Sequence, residues 1–204
     1  MFSKTMGFVL PVLAAGALLA GCSSSDQPQQ GTGTGASVSA PAPQIGHNQA
    51  DIAFAQQMIP HHQQAVEMAL VVPSQTGNQR ILDLADGIRR AQDPEIQTMT
   101  GWLRAWGAPA PSSAMGHDGM PDTDHGTMAG SMSADDMAKL GEVKDAEFDR
   151  LWLELMIRHH QGAVDMAKTE LAQGSDVDAK QLAQRIVDTQ QSEITTMNAL
   201  LAQP

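Results

Sequence analysis

From residue 54 to residue 69 the apolar positions return every three or four residues. At 100° per residue Phe54, Ala55, Met58, His61, His62, Ala65, Met68 and Ala69 share one face, and Gln56, Gln63 and Glu67 lie opposite. A second stretch repeats the pattern: Ile81, Leu84, Ala85, Ile88, Gln92, Glu95, Ile96, Met99, Trp102 and Leu103 share a face. No alternating strand pattern competes. Both stretches then recur at a constant offset of 98 residues. "MIPHHQQAVEMA" at Met58 returns as "MIRHHQGAVDMA" at Met156. Leu84, Ala85, Ile88, Gln92, Glu95, Ile96, Thr98, Met99 and Leu103 return as Leu182, Ala183, Ile186, Gln190, Glu193, Ile194, Thr196, Met197 and Leu201. A constant offset means that each half is the same helix–loop–helix unit. One such hairpin buries little, so two are expected to pack as an all-α four-helix bundle with a pseudo-twofold axis. Pro60 and Pro94 fall inside predicted helices, where kinks are expected rather than breaks, because a break would spoil the repeat register.

The remaining segments divide the chain. Residues 1–21 carry one positive charge, at Lys4, and then an apolar run that is too short and wrongly flanked for a spanning helix. The run ends in "LAGC", which resembles a bacterial lipoprotein signal with Cys22 as the lipidated residue. A polar stalk over 22–48 would tether the folded part to a membrane. The hairpins are placed at 49–107 and 141–204, joined by a Met/His-containing linker over 108–140. Export through this signal places the protein on the extracytoplasmic side.

Charge and composition narrow the function. Removal of residues 1–21 leaves 11 Lys and Arg against 23 Asp and Glu. Such an acidic surface suits cations and excludes nucleic acid as a partner. Cys22 is the single cysteine, so no disulfide can form within the chain. No Ser-His-Asp set, phosphate loop or nucleotide fingerprint occurs, and no catalytic residue is assigned.

The candidate chemistry is the doubled His-His motif. Four of the seven histidines stand as two matched pairs on core-facing positions. Burying imidazoles costs free energy unless they find partners. Met58 lies one turn before His61 and His62, and Ala65 leaves room one turn later. Met156, His159, His160 and Ala163 repeat this. Met99 and Met197 come from the partner helices. Met68 and Met166 lie two turns beyond the first histidine of each pair, too far to share its ion from one helix, and suit a second site. A methionine stripe also fills cores, so a bundle that binds a partner protein or none, with buried but metal-free histidines, is the rival reading. Imidazole plus thioether without thiolate selects copper, above all Cu(I). Zinc sites favour Cys, His and carboxylate. Di-iron bundles need Glu-x-x-His, which the chain lacks. Gln92, Glu95, Gln190 and Glu193 are polar residues on an apolar face, suited either to a helix edge or to orienting a ligating histidine. Met115, His117, Met120, His125 and Met128 in the linker are auxiliary copper candidates.

These motifs, with "QDPEIQTMTGWL", resemble the family catalogued as domain of unknown function three hundred and five, over about residues 47–107 and 142–203. The resemblance implies a ferritin-like four-helix fold, export and, for some members, copper binding linked to copper tolerance. Its motif positions fall on Met58, His61, His62, Met68, Gln92, Glu95, Met99 and their repeat mates. Gln64 against Gly162, and Pro60 against Arg158, depart from the internal repeat. The resulting expectation is a membrane-anchored lipoprotein that buffers, sequesters or hands on copper to a copper-handling protein. A copper oxidase is the enzymatic alternative.

Overall fold

The computed structural model describes residues 46–111 and 129–203. Cys22, Met115, His117, Met120, His125 and Met128 lie outside the described residues, as do residues 1–21 and most of the stalk. The fold is all-α. In chain order the helices are α1 (Gln49–Gln75), α2 (Gln79–Ala105), α3 (Ala134–Glu142), α4 (Asp145–Gln173) and α5 (Val177–Leu201). α1 pairs with α2 and α4 with α5; α1 packs on α4 to join the hairpins. α1 runs unbroken through Pro60 and Pro73, and α2 through Pro94.

The ends of the helices are set by short polar residues. Asn48 accepts the Ala50 and Asp51 amides at 2.7 and 3.2 Å, and Asp51 accepts the Asn48 amide in return, forming a capping box for α1. Asp176 caps α5 through the Asp178 and Ala179 amides. The hairpins interlock through their caps. Asp51 accepts the amides of Ser175 and Asp176 in the α4–α5 turn. Its repeat mate Asp149 accepts Asn78 Nδ2 at 2.7 Å in the α1–α2 turn.

The core forms two apolar clusters that obey the repeat. One holds Ala65, Met68, Phe148, Trp152, Met156 and Met197. The other holds Phe54, Met58, Met99 and Ala163, with Met166 half-buried against it. Each therefore joins two methionines of one hairpin to one of the other. Trp152 donates its indole N–H to the Met68 carbonyl at 2.9 Å, which satisfies its polar atom in the core.

α3 begins in the stretch whose composition suggests a linker and runs two residues past its expected end at 140. Ser133 and Asp136 form a capping box at its start, and Leu140 is buried in the first cluster. It packs on α1 and α4.

Glu170 departs from the repeat, where its mate is Val72. It is 1% exposed. Burial, then the hydrogen bond and charge of Asp51, raise its pKa to about 8, with Asp176 adding to the rise and Lys180 opposing it. Asp51 is shifted down: burial works against this, and its hydrogen bonds with Glu170 and the Asn48, Asp176 and Ser175 amides prevail. Glu170 is thus held as the protonated acid beside Asp51. Between pH 4.5, the ordinary value, and about 8 the folded protein keeps a proton that the unfolded chain releases. Stability from this group is full below that window and is lost as pH rises through it. Glu170→Gln retains the donor without the proton. It should flatten the fall in melting temperature between pH 5 and 8, so that the variant gains on wild type as pH rises through that window. Thermal melts over that range test this; an unchanged pH slope would exclude the proton-sharing pair.

Candidate metal centre

Packing α1 on α4 brings the two His-His motifs together. His61, His62, His159 and His160 are all 0% exposed. The His61 and His159 rings stand 3.7 Å apart between centroids, tilted by 35°. His160 lies 6.3 Å from His159. The four imidazoles thus occupy the middle of the bundle, between the two methionine-bearing clusters.

The outer histidines are held identically in the two halves. His62 Nε2 donates to Glu95 Oε2 at 2.7 Å, and His160 Nε2 donates to Glu193 Oε2 at 2.7 Å. A carboxylate only accepts, so the proton sits on Nε2 and in the neutral ring the lone pair sits on Nδ1. His61 Nε2 donates to the Ala129 carbonyl at 3.1 Å, with the same result. The Nδ1 atoms of His61, His62, His159 and His160 have no partner, and neither does Nε2 of His159. Buried polar atoms are usually satisfied, so this concentration of bare imidazole nitrogens calls for an explanation. Burial, then the charges of neighbouring imidazoles, push His61 down to about 3, against the pull of the Ala129 carbonyl. Burial and the other three histidines hold His159 well below its ordinary value, against the pull of the His61 backbone. Both rings are neutral near pH 7, the state in which imidazole coordinates a metal.

Buried thioethers lie on the same helices as these rings and on their hairpin partners. Met58 and Met99 are fully buried in one cluster and Met156 and Met197 in the other. Met58 precedes His62 by one turn of α1, and Met99 follows Glu95 by one turn of α2. Met156, His160, Glu193 and Met197 repeat the arrangement. Met68 joins the cluster of Met156 and Met197, and Met166 that of Met58 and Met99. Gln92 and Gln190 are buried one turn before the glutamates; both amide atoms of Gln92 and the Oε1 of Gln190 lack partners.

Among the described residues, no three His, Cys, Asp or Glu side chains are placed to hold a metal ion together. Histidines and carboxylates alone therefore do not complete a site; the buried thioethers and the unpartnered Gln92 and Gln190 amide oxygens are further candidate donors. A cavity of about 270 Å³ lies elsewhere, between α1 and α2 beside Leu70, Leu82 and Arg89. Two features of the centre are absent from the sequence reading: the Ala129 carbonyl, and the Gln64 amide that holds the segment bearing it. The departure of Gln64 from the repeat was the available signal.

The family model described as Domain of unknown function (DUF305) matches residues 51–201. No curated protein matches the chain significantly. Among solved structures, a DUF305 protein from Streptomyces coelicolor, described as a candidate secreted protein, is 36% identical with a TM-score of 0.66, over 75% of this chain and 91% of its own. A DUF305 fragment from Deinococcus radiodurans is 32% identical with a TM-score of 0.65, over 76% of this chain and 96% of its own. CopM in its Cu(II)-bound form is 31% identical with a TM-score of 0.63, over 74% of this chain and 95% of its own. CopM is also known in Cu(I)-bound, silver-bound and apo forms.

Proposed function

The chain belongs to the DUF305 family, and on that premise we propose that it binds copper, as Cu(I), in the buried centre between α1 and α4. The observation that carries this reading is the set of four buried imidazoles whose Nδ1 lone pairs have no partner. Three of the rings are oriented through Nε2, the arrangement by which an outer partner fixes the tautomer and direction of a ligating histidine. Met58, Met99, Met156 and Met197 supply thioethers, soft donors that favour Cu(I) over zinc. Met68 and Met166 extend the thioether supply. Similarity to CopM, known in Cu(I)-bound and silver-bound forms as well as with Cu(II), supports a centre that accepts soft cations.

The role is buffering, sequestration or delivery of copper to a protein partner outside the cytoplasm. No described helix is long and apolar enough to cross a membrane. Attachment is assigned to lipid on Cys22, on the strength of "LAGC" before a polar stalk. Cys22→Ala should move the protein out of the membrane fraction; full retention there would exclude the anchor.

Competition against chelators of known affinity tests the metal. Cu(I) should bind more tightly than Zn(II) by at least about a thousandfold, because thioether is a poor zinc ligand. Comparable affinities would remove the copper assignment. Failure to bind any metal would favour a bundle that buries its histidines for packing or partner binding. Oxidation of bound Cu(I) with turnover would point to the oxidase instead.

A further inference from the structure

The two halves are not equivalent at the histidines. His61 has the Ala129 carbonyl on Nε2, whereas its repeat mate His159 has no partner on either nitrogen. The difference traces to residues 129–132, which lie against α1 and α4. Gly130 adopts φ 78°, a conformation that costs glycine nothing. A side chain there would meet the Arg158 carbonyl. A side chain at Gly162 would occupy the space of the Ala129 carbonyl itself, so α4 must carry glycine at this point. The repeat mate of Gly162 is Gln64, and it does the complementary job. Its Nε2 donates to the Met132 carbonyl at 3.0 Å, and its Oε1 accepts the Met132 amide at 2.7 Å. The Met132 side chain is buried in the cluster with Met156 and Met197. Arg158, the mate of Pro60, contacts Met132 Sδ at 3.2 Å and Asp136 at 2.7 Å. These two departures from the internal repeat therefore converge on one short segment.

We propose that residues 129–132 are a positioning strap for the copper centre. Gly162 admits the strap, and Gln64 and Arg158 hold it. The Ala129 carbonyl then locks His61 in the Nε2–H tautomer with Nδ1 free for the ion. His159, with no hydrogen bond on either ring nitrogen, carries no such restraint on its tautomer and can meet the ion through whichever nitrogen faces it. The strap thus converts a pseudo-symmetric pair into one fixed and one adaptable ligand. The role assigned to the ion rests on the copper reading above; the hold on the His61 ring does not.

Imidazole 15N spectra of the full metal-free chain, with Cu(I) competition alongside, test this. Wild type should show His61 as a single Nε2–H tautomer. Gly162→Ala displaces the strap while placing a better helix former in α4. Gln64→Ala releases it from α1 with every His and Met retained. Both variants should keep their helical circular dichroism, show mixed His61 tautomers, and lose about 10–100-fold in Cu(I) affinity, as orienting partners of metal ligands do. Unchanged His61 signals in both variants would overturn the strap. So would mixed tautomers with wild-type Cu(I) affinity. If wild type takes up no Cu(I), the copper reading fails, and the His61 spectra of the two variants still decide whether the strap holds the ring.

Discussion

Replacing His61 and His62 together with alanine should lower Cu(I) affinity by more than about 100-fold, as severely as replacing all four histidines. Loss of a single orienting partner already costs about 10–100-fold, and here two ligating rings are removed. The reason for equal severity is the 3.7 Å contact between His61 and His159 across the α1–α4 packing. An ion held by His159 lies against the other half of the molecule, and the half-variant leaves a hollow there. One helix offers only a Met and a His on one turn, fewer donors than tight binding of Cu(I) needs. His159→Ala with His160→Ala should do the same from the other side. The readout is affinity and stoichiometry for both double variants and the four-histidine variant. If each double variant kept one site of wild-type affinity, the halves would bind independently.

Loading with Cu(I) should raise the melting temperature by roughly 10 °C when free Cu(I) is held about 1,000-fold above the dissociation constant. Binding to the folded state alone adds about 4 kcal/mol at that ratio. A domain of this size gains roughly 2–4 °C per kcal/mol. The metal-free bundle should in turn be strained by its bare imidazoles. His159 bears two unpartnered nitrogens in a fully buried ring. An unsatisfied buried polar group costs about 1–3 kcal/mol. His159→Leu, close in volume, should therefore raise the melting temperature of the metal-free protein while abolishing most of the rise on loading. Calorimetry of both proteins with and without Cu(I) measures this. A variant that melts lower without metal and still gains the full rise would place the ion elsewhere.

Much of this architecture is legible in the sequence because its signals are local and doubled. The 3.6-residue periodicity marks the buried face of α1 from Phe54 to Ala69, and that face is buried as drawn. On α2 the reading is broader than the burial: Ile81, Ala85, Ile88, Gln92, Met99 and Leu103 are buried, whereas Leu84, Glu95, Ile96 and Trp102 lie at its edges. The prolines bend no register, since both helices continue through them. What the sequence hides depends on approach between distant residues. α3 has nine residues in a compositionally biased stretch, too short for periodicity to announce, although Ser133 and Asp136 carry a capping-box spacing. Asp51 and Glu170 lie at opposite ends of the repeat, and the only clue is a carboxylate where the first half has Val72. Gln64 and Gly162 are visible as a mismatch, but their use becomes clear only when the 129–132 segment is seen lying between them.

The most direct test of the copper centre is a titration of 13C-methyl-methionine protein with Cu(I), which is diamagnetic, followed by NMR. The first equivalent should shift the methyls of the buried residues Met58, Met99, Met156 and Met197, with those of Met115, Met120 and Met128 responding only after it is taken up. Shifts confined at the first equivalent to Met115, Met120 and Met128 would contradict the account and leave the bundle as a scaffold.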